Sequence, residues 1–260
     1  MPVIEQLRGV VRSALLRCAR DVTDASAGHS AVVLAPHPDD ETLGCGGLIQ
    51  RKVAAGVSVT IVVVTDGSHS HESAVISPEG LAARRREEMA EAARRLNVRA
   101  DEVRRLDYED GTVGAHEDEL VAAIRQILDE TRAEELYATS AEEPHPDHAA
   151  VGRAARRAGR GRRGLRVFEY PVWLWASWPL QPGRRWASLF SAISKATFRR
   201  AVVVRSDGFL AGKLHALEAH RTQLHRPREI PEGDDWPTLP PRVLHAAAEP
   251  REVFFPVTPG

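Results

Sequence analysis

His37-Pro38-Asp39-Asp40 stands inside the run Ala35-Pro36-His37-Pro38-Asp39-Asp40-Glu41, directly behind the apolar stretch Ala31-Val32-Val33-Leu34-Ala35. His37 and Asp40 are three residues apart, so in a tight turn or a first helical turn their side chains leave the backbone on the same side. That spacing suits two ligands of one ion. A second cluster, His145-Pro146-Asp147-His148, lies about a hundred residues further on and supplies a third ligand if the fold brings the two loops together. Two histidines and one carboxylate leave a position open for water, which is how catalytic zinc is held. Zinc brings the pKa of its water towards about 7. Asp39, turned away from Asp40, is the candidate general base, since an ordinary carboxylate with a pKa of about 4 is ionised at working pH. In the second cluster one imidazole can bind metal while the other, protonated, stands beside a reacting carbonyl. There it stabilises the negative charge that amide hydrolysis builds and protonates the departing amine. Asp147 is suited to hydrogen-bond an imidazole, orienting it and raising its pKa.

These loops need strands behind them. Apolar runs alternate with helical patterns: strand 31–35, helix about 43–55, strand about 57–65, helix about 79–97, a short strand near 103–107, helix about 116–132, strand 135–139, helix about 147–158 and strand about 165–170. The order predicts a three-layer α/β fold, a mainly parallel sheet with helices on both faces. In such sheets ligands bind beyond the carboxyl ends of the strands, where the strand order reverses, and both clusters fall just after a strand. Past residue 171 the pattern gives way to a Trp-rich insert, 173–200, with Trp173, Trp175, Trp178 and Trp186. A strand at 201–205, a helix at about 207–224 and a Pro-rich tail, 226–260, complete what reads as one domain of 260 residues. Residues 1–27 open with Ile4, Leu7, Val10, Val11, Ala14 and Leu15 at helical spacing, an amphipathic helix expected to pack on its own domain.

Thirty-five basic residues against 36 acidic ones give a net charge of −1, which favours neither nucleic acid nor an anionic membrane and suits a small neutral or zwitterionic substrate. Only Cys18 and Cys45 are present, so a disulfide scaffold is excluded and a cytoplasmic, reducing location is expected. No apolar stretch approaches the roughly 20 residues of a membrane span.

The two histidine clusters resemble those of the PIG-L (LmbE-like) family of zinc-dependent N-acetylglucosaminyl deacetylases, a resemblance that extends over most of 31–225. It implies a Rossmann-like fold, zinc held by His37, Asp40 and His148, Asp39 as general base and His145 as oxyanion stabiliser. It also implies sugar contacts from Arg85, in Arg85-Arg86-Glu87-Glu88, and from Asp110, in Leu106-Asp107-Tyr108-Glu109-Asp110-Gly111. The implied activity is removal of an N-acetyl or other small acyl group from an amino sugar or its conjugate, with iron(II) or another divalent ion as an alternative to zinc. One departure stands out: some members place a mobile tyrosine two residues before the second cluster, where this chain has Glu143. Tyr170 is the residue available to replace it.

Other chemistries compete for the same residues. Two histidines and a carboxylate also hold iron in oxygenases, but Asp39 supplies a base that oxygen activation does not need. A hydrolase of another acyl amine, such as a glycosylated natural product, shares the same centre. A non-catalytic carbohydrate-binding relative has no need to keep that base. Gly44-Cys45-Gly46-Gly47 lacks the order of a dinucleotide loop and reads as close helix packing, with Cys45 a core thiol. His69 and His71 read as rim or loop residues, His116 as structural, and His215, His220 and His225 as part of a structural helix, because a spacing of five suits one ion poorly. The tryptophans suit a sugar ring, the core or an oligomer contact, and homo-oligomerisation is left open.

Overall fold

The computed structural model describes residues 2–177 and 201–257. Within them the strands are β1 (Arg20–Asp21), β2 (Ala31–Ala35), β3 (Val59–Thr65), β4 (Val103–Tyr108), β5 (Glu135–Thr139), β6 (Arg166–Tyr170), β7 (Val202–Arg205) and β8 (Arg251–Val257). They form one sheet in the order β1-β7-β8-β6-β5-β2-β3-β4. β4, β3, β2, β5 and β6 run parallel, whereas β8 runs antiparallel to both of its neighbours. The helices are α1 (Pro2–Cys18), α2 (Thr23–Ala27), α3 (Asp40–Ala54), α4 (Pro78–Arg95), α5 (Glu117–Thr131), α6 (Pro146–Gly159), α7 (Leu174–Ser177), α8 (Leu210–Leu217), α9 (Arg221–Leu224) and α10 (Pro241–Ala247).

β2 and β3 are buried along their whole lengths, as continuous Val/Ile/Leu runs require when helices cover both faces of a parallel sheet. Successive residues of β2 feed opposite cores. Val33 joins Leu43 and Leu48 of α3 and Met89 of α4 on one face. Val32 and Leu34 join Ile124 of α5 and Val151 of α6 on the other. From β2 the chain moves outward through β3 to β4, then returns to place β5 on β2's opposite side. The order therefore reverses at β2, and the crevice opens between the loops that leave β2 and β5.

The residues Gly44, Gly46 and Gly47 let α3 lie close to its neighbours. A Cβ on Gly44 would stand 2.2 Å from Tyr170 Cδ2, and one on Gly47 would stand 2.3 Å from Ser206 Cβ. Cys45 is fully buried in the same core. The segment read as a Pro-rich tail instead returns as α10 and then as β8, between β6 and β7. Pro256 lies beyond Phe254, the last residue paired with β7, where a missing N–H is tolerated. The predicted 207–224 helix is two helices, because the chain turns at 218–220 and buries His220. α1 packs on its own domain through Leu15, against Leu174, Val203 and Phe255. Residues 178–200 of the Trp-rich insert, with Trp178 and Trp186, lie outside the described residues. Among the described residues no helix is long and apolar enough to cross a membrane.

Candidate metal centre and catalytic cleft

The first cluster begins two residues past β2, on a turn pinned to β3: the Thr65 N–H and hydroxyl both donate to the Pro36 carbonyl, at 2.9 and 2.8 Å. Asp39, the residue before α3, sits at φ 143°, ψ −26°, a backbone conformation that side-chain-bearing residues adopt only when surroundings enforce it. Arg85, buried on α4, enforces it from one side, donating to the Pro38 carbonyl at 2.9 Å and lying 3.5 Å from Asp39 Oδ2. Gly67 makes room for that guanidinium, since a Cβ there would come within 2.7 Å of Arg85 Nη1. The second cluster begins α6, whose first turn is capped by His145: its Nδ1 accepts from the Asp147 N–H at 3.3 Å.

Three donor atoms converge between the loops. His37 Nδ1 is 3.1 Å from His148 Nε2 and 3.4 Å from Asp40 Oδ2, and His148 Nε2 is 3.2 Å from Asp40 Oδ2. Ligands about 2.0–2.1 Å from one tetrahedral ion stand about 3.3 Å apart, so the triangle has the size a zinc-like ion needs. The donor set, two imidazoles and a carboxylate, also suits zinc or iron(II). Two other groupings also bring possible ligand atoms within 4.8 Å of one another, His37 with His145 and His148, and His37 with Asp110 and Asp147.

That far side is organised. His37 Nε2 is 3.0 Å from Asp110 Oδ1 and 3.4 Å from Asp147 Oδ2. Asp147 is anchored in turn by the N–H groups of Gly111 at 2.7 Å and Val113 at 3.2 Å. A ligating histidine that donates its second N–H to a carboxylate is held in one tautomer and orientation. Burial pushes the His37 pKa down, but its bonds to Asp110, Asp147 and Asp40 outweigh this and hold it well above the ordinary value. Asp110 also accepts the His69 N–H at 3.2 Å, and both Asp110 and Arg85 line the cleft.

Two protonation states differ from the expectations set by ordinary values. Burial raises the Asp39 pKa to about 7, against the opposing charge of Arg85; a bound cation would pull it back down. Burial and the neighbouring His37 and His148 charges push His145 down to about 4, so it is a neutral imidazole at neutral pH, not the imidazolium expected. Because its Nδ1 accepts from the Asp147 amide, the ring proton of this neutral form resides on Nε2.

Other residues singled out in the sequence take structural places. Tyr170 is buried and donates to the Leu34 carbonyl at 2.7 Å, so it is no substitute for a cleft tyrosine. Glu143 is buried too. Its carboxylate accepts the N–H groups of Val172 at 2.6 Å and Leu174 at 3.1 Å, and lies 3.9 Å from His148 Nδ1. His71 stacks on Trp236, ring centroids 4.0 Å apart, and its Nε2 meets the Pro237 carbonyl at 2.6 Å. His116 is half-buried beside Glu119 and Tyr108, and His215 is exposed beside Glu218, away from buried His220. Sequence reasoning missed Glu41, whose carboxylate accepts the Asp39 N–H at 3.2 Å; its only signal was its place at the end of the first cluster. The cleft above the triad holds about 210 Å³, walled by Leu43, Trp173 and Pro237–Leu239. This arrangement can hold a divalent ion, take a proton from a water beside it and donate a hydrogen bond to an oxyanion.

Known proteins share this geometry's framework. A probable N-acetyl-alpha-D-glucosaminyl L-malate deacetylase 2 from Bacillus subtilis is 30% identical over 132 residues, 49% of this chain and 59% of that protein, so the match spans less than two thirds of its length. A 1D-myo-inositol 2-acetamido-2-deoxy-alpha-D-glucopyranoside deacetylase 2 from Catenulispora acidiphila is 28% identical over 249 residues, 76% of this chain and 81% of that one. Among solved structures, the N,N'-diacetylchitobiose deacetylase from Pyrococcus horikoshii shares the fold with a TM-score of 0.64 at 22% identity, over 88% of this chain and 84% of that one. Residues 32–159, which carry both clusters, Arg85 and Asp110, match the PIG-L family, described as GlcNAc-PI de-N-acetylase, so this part of the chain is a PIG-L family domain.

Proposed function

We propose that this chain hydrolyses the N-acetyl, or another small N-acyl, group of an amino sugar or its conjugate, releasing a carboxylate and a free amine. The observation that carries the reading is the convergence of His37 Nδ1, Asp40 Oδ2 and His148 Nε2, within 3.4 Å of one another, beside Asp39. His37, Asp40 and His148 would hold the ion, zinc or iron(II). Bound there, the ion supplies Lewis acidity towards water and the amide oxygen.

The chain's own residues do the rest. Asp39 takes the proton of the attacking water on its carboxylate. Protonated in this way, the Asp39 carboxyl can pass the proton to the nitrogen as the C–N bond breaks, so one residue serves as base and then acid. His145 donates its Nε2–H to the oxygen that becomes negative. A neutral imidazole does this without first needing a proton from solvent, and a fixed donor of this kind lowers the barrier by roughly 3–4 kcal/mol. Asp110 and Asp147 keep the His37 ring aimed. The small cleft, with Trp173 and Leu239 on its wall, suits one sugar ring with its acyl group. The amino-sugar substrate is inferred from the relatives' named activities.

The test is release of primary amine from a panel of N-acetylated amino sugars and their conjugates, with zinc-loaded protein and Asp39→Ala beside it. Turnover that disappears in the variant supports the reading. Turnover unchanged in the variant, or absent across the panel in the wild type, overturns it.

A further inference from the structure

His220 and Glu41 are both completely buried and stand together beneath the first cluster. His220 Nε2 lies 3.5 Å from Glu41 Oε1 and 3.5 Å from Thr42 Oγ1, while Thr42 donates its hydroxyl to Glu41 Oε1 at 2.5 Å. The other Glu41 oxygen, Oε2, accepts the Asp39 N–H at 3.2 Å. His220 is held in place through its neighbour Thr222, whose N–H and hydroxyl donate to Glu88 at 3.0 and 2.7 Å. Glu88 lies on α4, the helix that also carries Arg85. The Pro38-Asp39 segment is thus gripped by two arms from one helix, Arg85 at the Pro38 carbonyl and Glu88 by way of Thr222, His220 and Glu41 at the Asp39 amide.

We propose that His220 is a positioning residue for Asp39: it holds the buried Glu41 carboxylate against the Asp39 amide and so keeps Asp39 in its positive-φ conformation beside the metal centre. A buried carboxylate deprived of its partner is costly and moves or takes up a proton. Without Glu41 as acceptor, the Asp39 amide loses its bond and nothing on that side opposes relaxation of a strained φ. Asp39 would then move relative to Asp40, although none of the three converging donors is touched. The effect on rate rests on the proposed hydrolysis; the effect on the Asp39 backbone does not.

The experiment compares zinc-loaded wild type, His220→Leu and His220→Gln, whose amide N–H can replace the imidazole donor. It uses three readouts: crystal structures, zinc affinity by chelator competition, and amine release. In His220→Leu, Glu41 leaves the Asp39 amide, Asp39 abandons its φ near 143° and kcat falls on the order of 100-fold, as small misplacements of reacting groups do. Zinc affinity and KM stay close to wild type, and His220→Gln restores both the backbone and the rate. Should His220→Leu not fold, His220→Asn, whose amide falls short of Glu41, is read in the same way. An unmoved Asp39 in the Leu or Asn variant overturns the proposal whatever the activity, and so does equal loss of zinc affinity and rate. If Asp39 moves as expected but the wild type releases no amine, the positioning role stands and the proposed hydrolysis fails.

Discussion

Asp110 Oδ1 lies 3.0 Å from His37 Nε2, across the imidazole from the Nδ1 that faces Asp40 and His148. One ring therefore joins a carboxylate to the point where the donors converge. In Asp110→Asn the acceptor becomes a weaker one that can also present its amide N–H, and the ring loses its preferred orientation. Zinc affinity is expected to fall about 10- to 100-fold, measured by chelator competition. Unchanged affinity with a raised KM would instead assign Asp110 to substrate alone.

The two histidines of the second cluster separate by function. His148 Nε2 is one apex of the donor triangle, whereas His145 lies at the cleft with Nδ1 committed to the Asp147 amide. His148→Ala is expected to lose zinc. His145→Ala is expected to keep zinc and lose about 100- to 1,000-fold in kcat, the loss typical of one oxyanion donor. Metal analysis beside steady-state kinetics decides, and equal metal loss in both variants would refute the division.

The chemistry was legible from residue type and spacing, because His37, Asp40, His145 and His148 sit within two short segments that the βα alternation delivers to one end of the sheet. Their protonation was not. The raised Asp39 and lowered His145 values arise from burial and from each other's charges, which spacing does not report. Glu41 and His220 meet only because the chain turns after α8, and a turn inside an unbroken amphipathic pattern has no Gly or Pro to announce it. β8 escaped notice for a related reason: Arg251 and Glu252 open it and Pro256 interrupts it, so its pattern resembles a loop. It is fixed instead by the buried Glu252 carboxylate, which reaches α3 and Lys213 of α8.

The wall of the cleft carries a pH-dependent contribution to stability. Burial, helped by the Arg85 charge, holds the His71 imidazole below its ordinary value. The unfolded chain therefore takes up this proton more readily than the folded one. The stabilisation is fully present above about pH 6.5 and is lost as pH falls towards the lowered folded value. Thermal unfolding of wild type and His71→Gln, compared at about pH 7.5 and about pH 5.5, is expected to show the larger drop in Tm for the wild type. Parallel drops would show that His71 is not responsible, since every other histidine is common to both proteins.

Glu252 is the partner that holds β8 in the sheet. Its carboxylate accepts the N–H groups of Gly47 at 2.8 Å and Leu48 at 2.7 Å and the Lys213 ammonium at 2.8 Å, with Lys213 and Glu252 both buried. This one group ties β8 to α3 and α8, and Gly46 is needed nearby because a Cβ there would stand 2.8 Å from Lys213 Cγ. Lys213→Met removes the cation, keeps most of the side-chain volume and leaves the carboxylate buried with only its amide donors. A loss of about 3–5 kcal/mol is expected in urea unfolding, the cost of stranding a buried charge. Lys213→Met combined with Glu252→Gln should lose less than the sum of the two single changes, because the second removes the charge the first has stranded. Additive losses would mean that the two residues stabilise the protein independently, with Glu252 acting through the α3 amides alone.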